Sequence, residues 1–231
     1  MKKLSFLVVA AALLMSAGSC KSTCGNANIK TEVDSMSYAI GVAQGGGLAQ
    51  QLTSIPGGEV NKEALIAGFT QALREKETKM TAEEAQEFLQ TYFQNVTVKE
   101  AAKNKEEGEK FLEENGKRNG VITTASGLQY EVTTEGTGKR PTLSDKVSVH
   151  YHGTLIDKTV FDSSVDRGQP VEFGVTQVIP GWTEGLQLMP VGSKYTFWIP
   201  AELAYGENGM GGAIKPNSTL IFEVELLSIV E

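Results

Sequence analysis

The sequence predicts an α+β protein, helical in its first half and built in its second on a small antiparallel sheet wrapped around a short helix. Three observations predict it. Val178-Ile179-Pro180-Gly181 runs into a turn or two of helix in which Trp182, Leu186 and Met189 share one face at i, i+4 and i+7. Strand-like alternation flanks that helix: Val147, Val149 and Tyr151 upstream, then Tyr195-Thr196-Phe197-Trp198-Ile199 and Leu220, Phe222, Val224 and Leu226 downstream. A helix so short does not hold itself together in water, so the sheet must cover its apolar face. Residues 34–118 instead recur at helical period, with cap residues at Asn61 and Thr81.

The chain has 231 residues, 40% of them hydrophobic, enough for one or two domains with a real core. A formal charge of −7 argues against nucleic acid as a partner, because counterion release from phosphates needs basic surface. Met1-Lys2-Lys3, an apolar run from Leu4 to Met15 and small residues up to Cys20 read as a secretory signal, too short to span a membrane. Cys20 directly after those small residues resembles a bacterial lipoprotein signal, although Ala17 stands where that pattern has leucine. Two readings stand here: a lipidated Cys20, or a plain signal peptide cut near it. An oxidising compartment would allow a Cys20–Cys24 disulfide, on which nothing in the globular part depends. Residues 21–33 suit a flexible tether.

From Asp34 to about Leu52, Met36, Ile40, Ala43 and Leu48 fit a helix, weakened by Gly45-Gly46-Gly47. No Gly-Lys-Ser/Thr follows those glycines, so they are not a phosphate loop. Ile55-Pro56-Gly57-Gly58 breaks the chain, and Asn61 caps a second helix bearing Leu65, Phe69 and Leu73. Thr81 and Glu84 form a capping box before Ala85, Phe88, Leu89, Tyr92, Phe93 and Val96. Lys99 to Arg118 has Phe111 and Leu112 as its large apolar residues and is laced with Glu106–Lys110, Glu113–Lys117 and Glu114–Arg118 pairs. The pattern predicts one helix over 81–118, on the order of 55 Å long, or two helices broken near Asn95-Val96-Thr97. In the first reading its first half is buried and its second is a solvated spacer. The core available to these helices is thin, and dimerisation would supply the missing cover.

Asn119-Gly120 ends the helix, and Leu128, Tyr130 and Val132 form a first strand. Trp198 alternates outward, towards the surface, while Phe173, Tyr195 and Phe197 read as core. His150 and His152 share the strand face opposite Tyr151. They lack a Cys, Asp or Glu cluster that would make a metal site, and no histidine faces inward to activate Ser163 or Ser164.

The motifs Gly127-Leu128-Gln129-Tyr130, Val149-His150-Tyr151-His152-Gly153-Thr154-Leu155, Phe161-Asp162-Ser163-Ser164, Val178-Ile179-Pro180-Gly181-Trp182, Ala204-Tyr205-Gly206 and Leu220-Ile221-Phe222-Glu223-Val224-Glu225-Leu226 resemble the FKBP family of peptidyl-prolyl cis-trans isomerases. The match runs from about Val121 to Glu231. The helical part with its lipoprotein-like signal resembles that family's macrophage infectivity potentiator branch, a V-shaped dimer. The resemblance implies a half-wrapped sheet around the short helix, an isomerase domain over 119–231 and a helical dimerisation domain over 34–118. It implies a pocket with Trp182 as floor and Tyr151, Phe161, Val178, Ile179, Tyr205, Ile214 and Phe222 as walls. The Ile179 amide and the Tyr205 hydroxyl would donate to the bound peptide. Asp162 would either orient substrate or hold a wall by pairing with Arg167 or Tyr151. Val171 stands where well-known relatives have an aromatic, which implies an altered ligand fit. The glycine-rich stretch from Glu207 to Ile214 would lie over the pocket.

Such residues suit X–Pro rotation, which breaks no bond and calls for no nucleophile, metal or cofactor; a pocket that favours a twisted amide is enough. The implied partners are proline-containing peptides, unfolded exported proteins, the family's macrolide inhibitors and a second copy of the chain. The implied location is the bacterial cell envelope, periplasmic and lipid-anchored. Two other classes compete: a client-binding chaperone in which isomerisation is secondary, and a structural lipoprotein with a degenerate pocket. The intact set of pocket residues argues against the last.

Overall fold

The computed structural model describes residues 27–53, 55 and 57–230. The expected signal peptide, Cys20 lipidation and Cys20–Cys24 pairing lie outside the described residues. The chain divides into two compact units, one ending at Gly58 and the other starting at Glu59.

In the first unit, helix α1 spans Glu32–Leu52 and runs unbroken through the three glycines. It starts two residues before the expected Asp34, because Thr31 and Asp34 cap each other's free amides. None of its residues is buried.

In the second unit, α2 spans Lys62–Leu73, with Asn61 Oδ1 accepting from the Ala64 amide at 2.9 Å. Helix α3 spans Ala82–Asn115, a single rod of 34 residues and about 50 Å. The Thr81–Glu84 capping box is formed, and Gly116 caps the end. Burial along α3 is the reverse of the expected one. Phe88 and Val98 are 60% and 67% exposed, whereas the buried residues, Gly108 and Asn115, are in the charged half. That half is solvated along one side and tied down along the other. Asn104 Nδ2 donates to Pro216 O at 2.8 Å and Gln129 Nε2 donates to Leu112 O at 2.8 Å. Asn115 Nδ2 donates to Gln129 Oε1, also at 2.8 Å. Small and polar groups make these contacts, so a search for large apolar residues could not register them. Glu113–Lys117 forms as expected at 2.7 Å, but Arg118 turns away from Glu114 to Glu131, at 3.1 Å.

The strands are β1 Val121–Thr123, β2 Gln129–Thr134, β3 Lys146–Leu155, β4 Val160–Ser163, β5 Val171–Gly174, β6 Lys194–Ile199 and β7 Leu220–Val230, with α4, Pro180–Leu188, between β5 and β6. They form one antiparallel sheet in the order β1-β2-β6-β7-β3-β4, with β5 also on β3. Thus β3 pairs with β7 along its whole length and divides its other edge between β5 and β4. The expected first strand is the second, preceded by the three-residue β1.

Trp182 and Leu186 of α4, with Met189 at its C-cap, join Val147, Val149, Phe197, Leu220, Val224 and Leu226 in the core. Each such side chain contributes about 2 kcal/mol by leaving water. Trp198 is a correction. It alternates to the other face as expected, yet is only 6% exposed, with the Arg118 guanidinium 5.3 Å from its ring centroid. The sheet therefore has a second, partly covered face, and alternation alone does not distinguish covered from bare.

Candidate active site

A cavity of about 570 Å³ opens between α4, the strands beside β3 and the loop before β7. Trp182, in the first turn of α4, forms its floor. The rings around it stand edge-on: Tyr151 at 5.4 Å and 87°, Phe222 at 5.1 Å and 84°, and Phe173 at 5.8 Å and 80°. Phe161 meets Phe222 at 5.3 Å and 85°. Perpendicular packing puts positive ring edges on negative faces and leaves a slot between upright walls. Gly153 makes this possible: a Cβ there would lie 2.8 Å from both Phe161 Cζ and Phe222 Cε1. In the ladder Gly153 is the partner of both Asp162 and Phe222, so one strand position fixes two walls.

Val178 and Ile179 form the lip before α4. Ile179 is the N-cap, extended at φ −61° and ψ 152°, and Pro180 opens the helix. Across the cavity, Tyr205, Met210, Gly211, Ala213 and Ile214 come from the loop before β7, where Met210 and Ile214 are bridged. The Trp182 indole N–H is buried without a partner among the described residues.

The charged chemistry is confined to one corner. The Tyr151 hydroxyl and the Arg167 guanidinium both donate to Asp162, and Arg167 Nη2 also donates to the Tyr151 hydroxyl at 2.8 Å. The guanidinium lies 5.6 Å from the centroid of the Tyr151 ring. Burial pushes the Asp162 pKa up, but the hydrogen bonds from Tyr151 and Arg167 and the Arg167 charge outweigh it and hold it below the usual carboxylate range. Burial, followed by the negative charge of Asp162, raises the pKa of Tyr205; burial also leads the upward shift at Tyr151. Both phenols are donors at neutral pH.

Tyr151, Phe161, Asp162, Val178, Ile179, Trp182, Tyr205, Ile214 and Phe222 all line this one cavity. Val171 does not; it packs against the core from β5. Two residues on, Phe173, expected in the core, supplies an aromatic wall on the same strand face. Period-two spacing from Val171 was the signal that could have found it. Gln177 lines the cavity unforeseen, Met210 does so from the stretch expected over the pocket, and Arg167 is the hub of the polar corner.

Each histidine touches a serine. His150 Nδ1 is 3.1 Å from Ser164 Oγ and His152 Nδ1 is 3.0 Å from Ser163 Oγ. Asp166 approaches His152 at the same nitrogen, at 4.0 Å. A relay needs the two ring nitrogens to serve different partners, and neither serine lines the cavity. Ser164 Oγ instead accepts from the Tyr151 amide at 2.8 Å and so holds the strand that carries a pocket wall. Among the described residues no group of three or more His, Cys, Asp or Glu could hold a metal ion.

Comparison with known proteins bears on the same residues. A family model for FKBP-type peptidyl-prolyl cis-trans isomerase matches residues 138–227, and one for the domain amino-terminal to it matches 33–132. The chain is 47% identical to the FKBP-type peptidyl-prolyl cis-trans isomerase FkpA of Aeromonas hydrophila, over 88% of this chain and 78% of that one. It is 38% identical to the outer membrane protein MIP of Legionella longbeachae, over 96% and 97% of the two chains. The crystal structure of FkpA from Escherichia coli superposes with a TM-score of 0.67 at 40% identity, covering 87% of this chain and 98% of that one. Two matched segments in the family's order, relatives covered over most of their length and a shared fold agree: the chain belongs to the FKBP-type peptidyl-prolyl cis-trans isomerases, enzymes that act in protein folding.

Proposed function

We propose that the aromatic slot over Trp182 is where Xaa-Pro bonds are turned. The observation that carries this reading is the meeting of all but one of the expected site residues around a single cavity of about 570 Å³. Rotation gives up amide resonance, a barrier of about 18–20 kcal/mol. In the slot, a proline ring seats on the Trp182 face between Tyr151, Phe161 and Phe222, and the carbonyl of the residue before it leaves water. A twisted amide, with less charge on its oxygen, loses less by that desolvation than a planar one. The Ile179 amide and the Tyr205 hydroxyl donate to the flanking peptide and hold it while the bond turns. Asp162, its oxygens taken by Tyr151 and Arg167, fixes the Tyr151 wall and does not act as a nucleophile.

The test is turnover of a short Xaa-Pro peptide by the full chain beside Tyr151→Ala and Asp162→Ala. Folded variants in which kcat/KM drops about tenfold or more, equivalent to 1.4 kcal/mol of transition-state binding, support the assignment. Unchanged turnover in both refutes it.

A second reading concerns the helices. Val33, Met36, Ile40 and Val42 of α1 are exposed, as are Ile66, Phe69 and Leu73 of α2 and Phe88, Leu89, Tyr92 and Val98 of α3. So much bare apolar surface supports residues 34–118 as a dimerisation region, with 119–231 as the isomerase domain. The dimer serves unfolded exported proteins in the bacterial envelope, held by a lipid on Cys20, and its pocket accepts the macrolide inhibitors of the family. Among the described residues no helix is long and apolar enough to cross a membrane. Sedimentation of the full chain tests the dimer, and mass analysis of the processed N-terminus tests the lipid.

A further inference from the structure

The loop that forms one side of the cavity has little regular structure between Gly206 and β7 beyond a short 3-10 turn over Gly206–Asn208 and the Met210–Ile214 bridge. Its distal end is fastened to α3 by two hydrogen bonds and to its own start by a third. Asn104 Nδ2 donates to the Pro216 carbonyl at 2.8 Å, and Asn217 Nδ2 donates back to the Ala101 carbonyl at 3.2 Å. The Asn217 amide donates to the Gly206 carbonyl at 2.8 Å, next to Tyr205. Asn217 sits at φ +57°, a left-handed conformation that asparagine tolerates better than most residues. Beside this clasp Gly108 lets the helix touch Thr219, where a Cβ would lie 2.5 Å from the Thr219 Oγ1.

We propose that Asn104 and Asn217 are positioning residues for the isomerase reaction, with α3 acting through them to hold the loop bearing Tyr205, Met210 and Ile214 in its binding-competent place. Neither asparagine lines the cavity. Both act one step removed, from α3 to Pro216 and Asn217 and from there to Gly206 and Tyr205. When the clasp is cut, only a fraction of molecules presents the competent wall, and apparent affinity falls by that fraction. Once substrate has selected the competent state, the bond turns as before.

The inference rests on the cavity being the catalytic site, which the Tyr151→Ala comparison establishes separately. The experiment measures kcat and KM of the full chain for a short Xaa-Pro peptide in Asn104→Ala and Asn217→Gly. Alanine favours the helix at 104, and glycine accepts the positive φ at 217, so each removes its hydrogen bond without backbone strain. The expected result is a KM raised about threefold to tenfold, the scale of one hydrogen bond, with kcat kept within about twofold. Gly108→Ala, which wedges helix and loop apart, gives the same split. Adding Thr219→Ala to it removes the clashing oxygen and restores KM. Hydrogen exchange over 206–219 rises in the three disrupted variants and recovers in the rescued one. An unchanged KM in folded Asn104→Ala and Asn217→Gly overturns the proposal. So does a loss confined to kcat, or a Gly108→Ala/Thr219→Ala protein as impaired as Gly108→Ala.

Discussion

Asp162 carries its charge between Tyr151 and Arg167, and that arrangement sets what pH does to the site. A carboxyl with a depressed folded pKa adds stability above its unfolded value, near 3.9, and loses it as pH falls through the lower folded value. Tyr151 and Tyr205 have raised pKa values, so what they add is present below about 10 and lost only as pH rises through the folded values. The expected kcat/KM profile is therefore flat across the neutral range, since neither the Asp162 carboxyl nor the two phenols change charge there. Arg167→Ala should return the Asp162 pKa towards its ordinary value, visible by carboxyl NMR, and lower kcat/KM about threefold to tenfold as the Tyr151 ring loses its tether. Gly153→Ala forces a methyl against Phe161 and Phe222. It should cost about 1–3 kcal/mol in urea denaturation, with a loss of peptide turnover in the molecules that remain folded.

Among the elements, β6 and α3 show most plainly what was legible in the sequence. The Trp182, Leu186 and Met189 stripe at α4, the alternation of β3 and β7 and the caps at Asn61 and Thr81 could be read from period and capping pattern, because each is a local pattern with one dominant cause. The ten expected pocket residues came from the family resemblance alone, and nine of them line the cavity. Trp198 and the charged half of α3 could not. Their burial depends on a contact between segments far apart in the chain, made by Arg118, Asn104, Gly108 and Asn115, none of them a large apolar residue. Phe173 was missed for a different reason: on β5 the core and the cavity share one face, so spacing from Val171 offers Phe173 as a wall without excluding it from the core. Arg118→Ala should uncover Trp198 and cost about 1 kcal/mol in denaturant, with a red-shifted Trp emission. Thr81→Ala, which removes half of a reciprocal cap, should cost about 1 kcal/mol and fray the first turn of α3.

At the scale of the whole molecule, the bare apolar faces of the helices predict self-association. Phe88→Glu with Leu89→Glu should leave peptide turnover within about twofold, since neither residue lines the cavity, and shift sedimentation to the mass of one chain. An unchanged mass would remove the dimer from the account. Helix α3 has a mechanical consequence whichever way that result falls. It is one rod about 50 Å long, and its clasp to the pocket loop, at Ala101 and Asn104, lies just past its middle, roughly 15–20 Å from the Asn115 end. A tilt of about 5° about the Asn115 end, which Gln129 anchors, would swing the opposite tip by roughly 4 Å. The rod is then a lever with the catalytic loop at its short arm: large, weak displacements at the tip arrive at Tyr205 as small, firm ones.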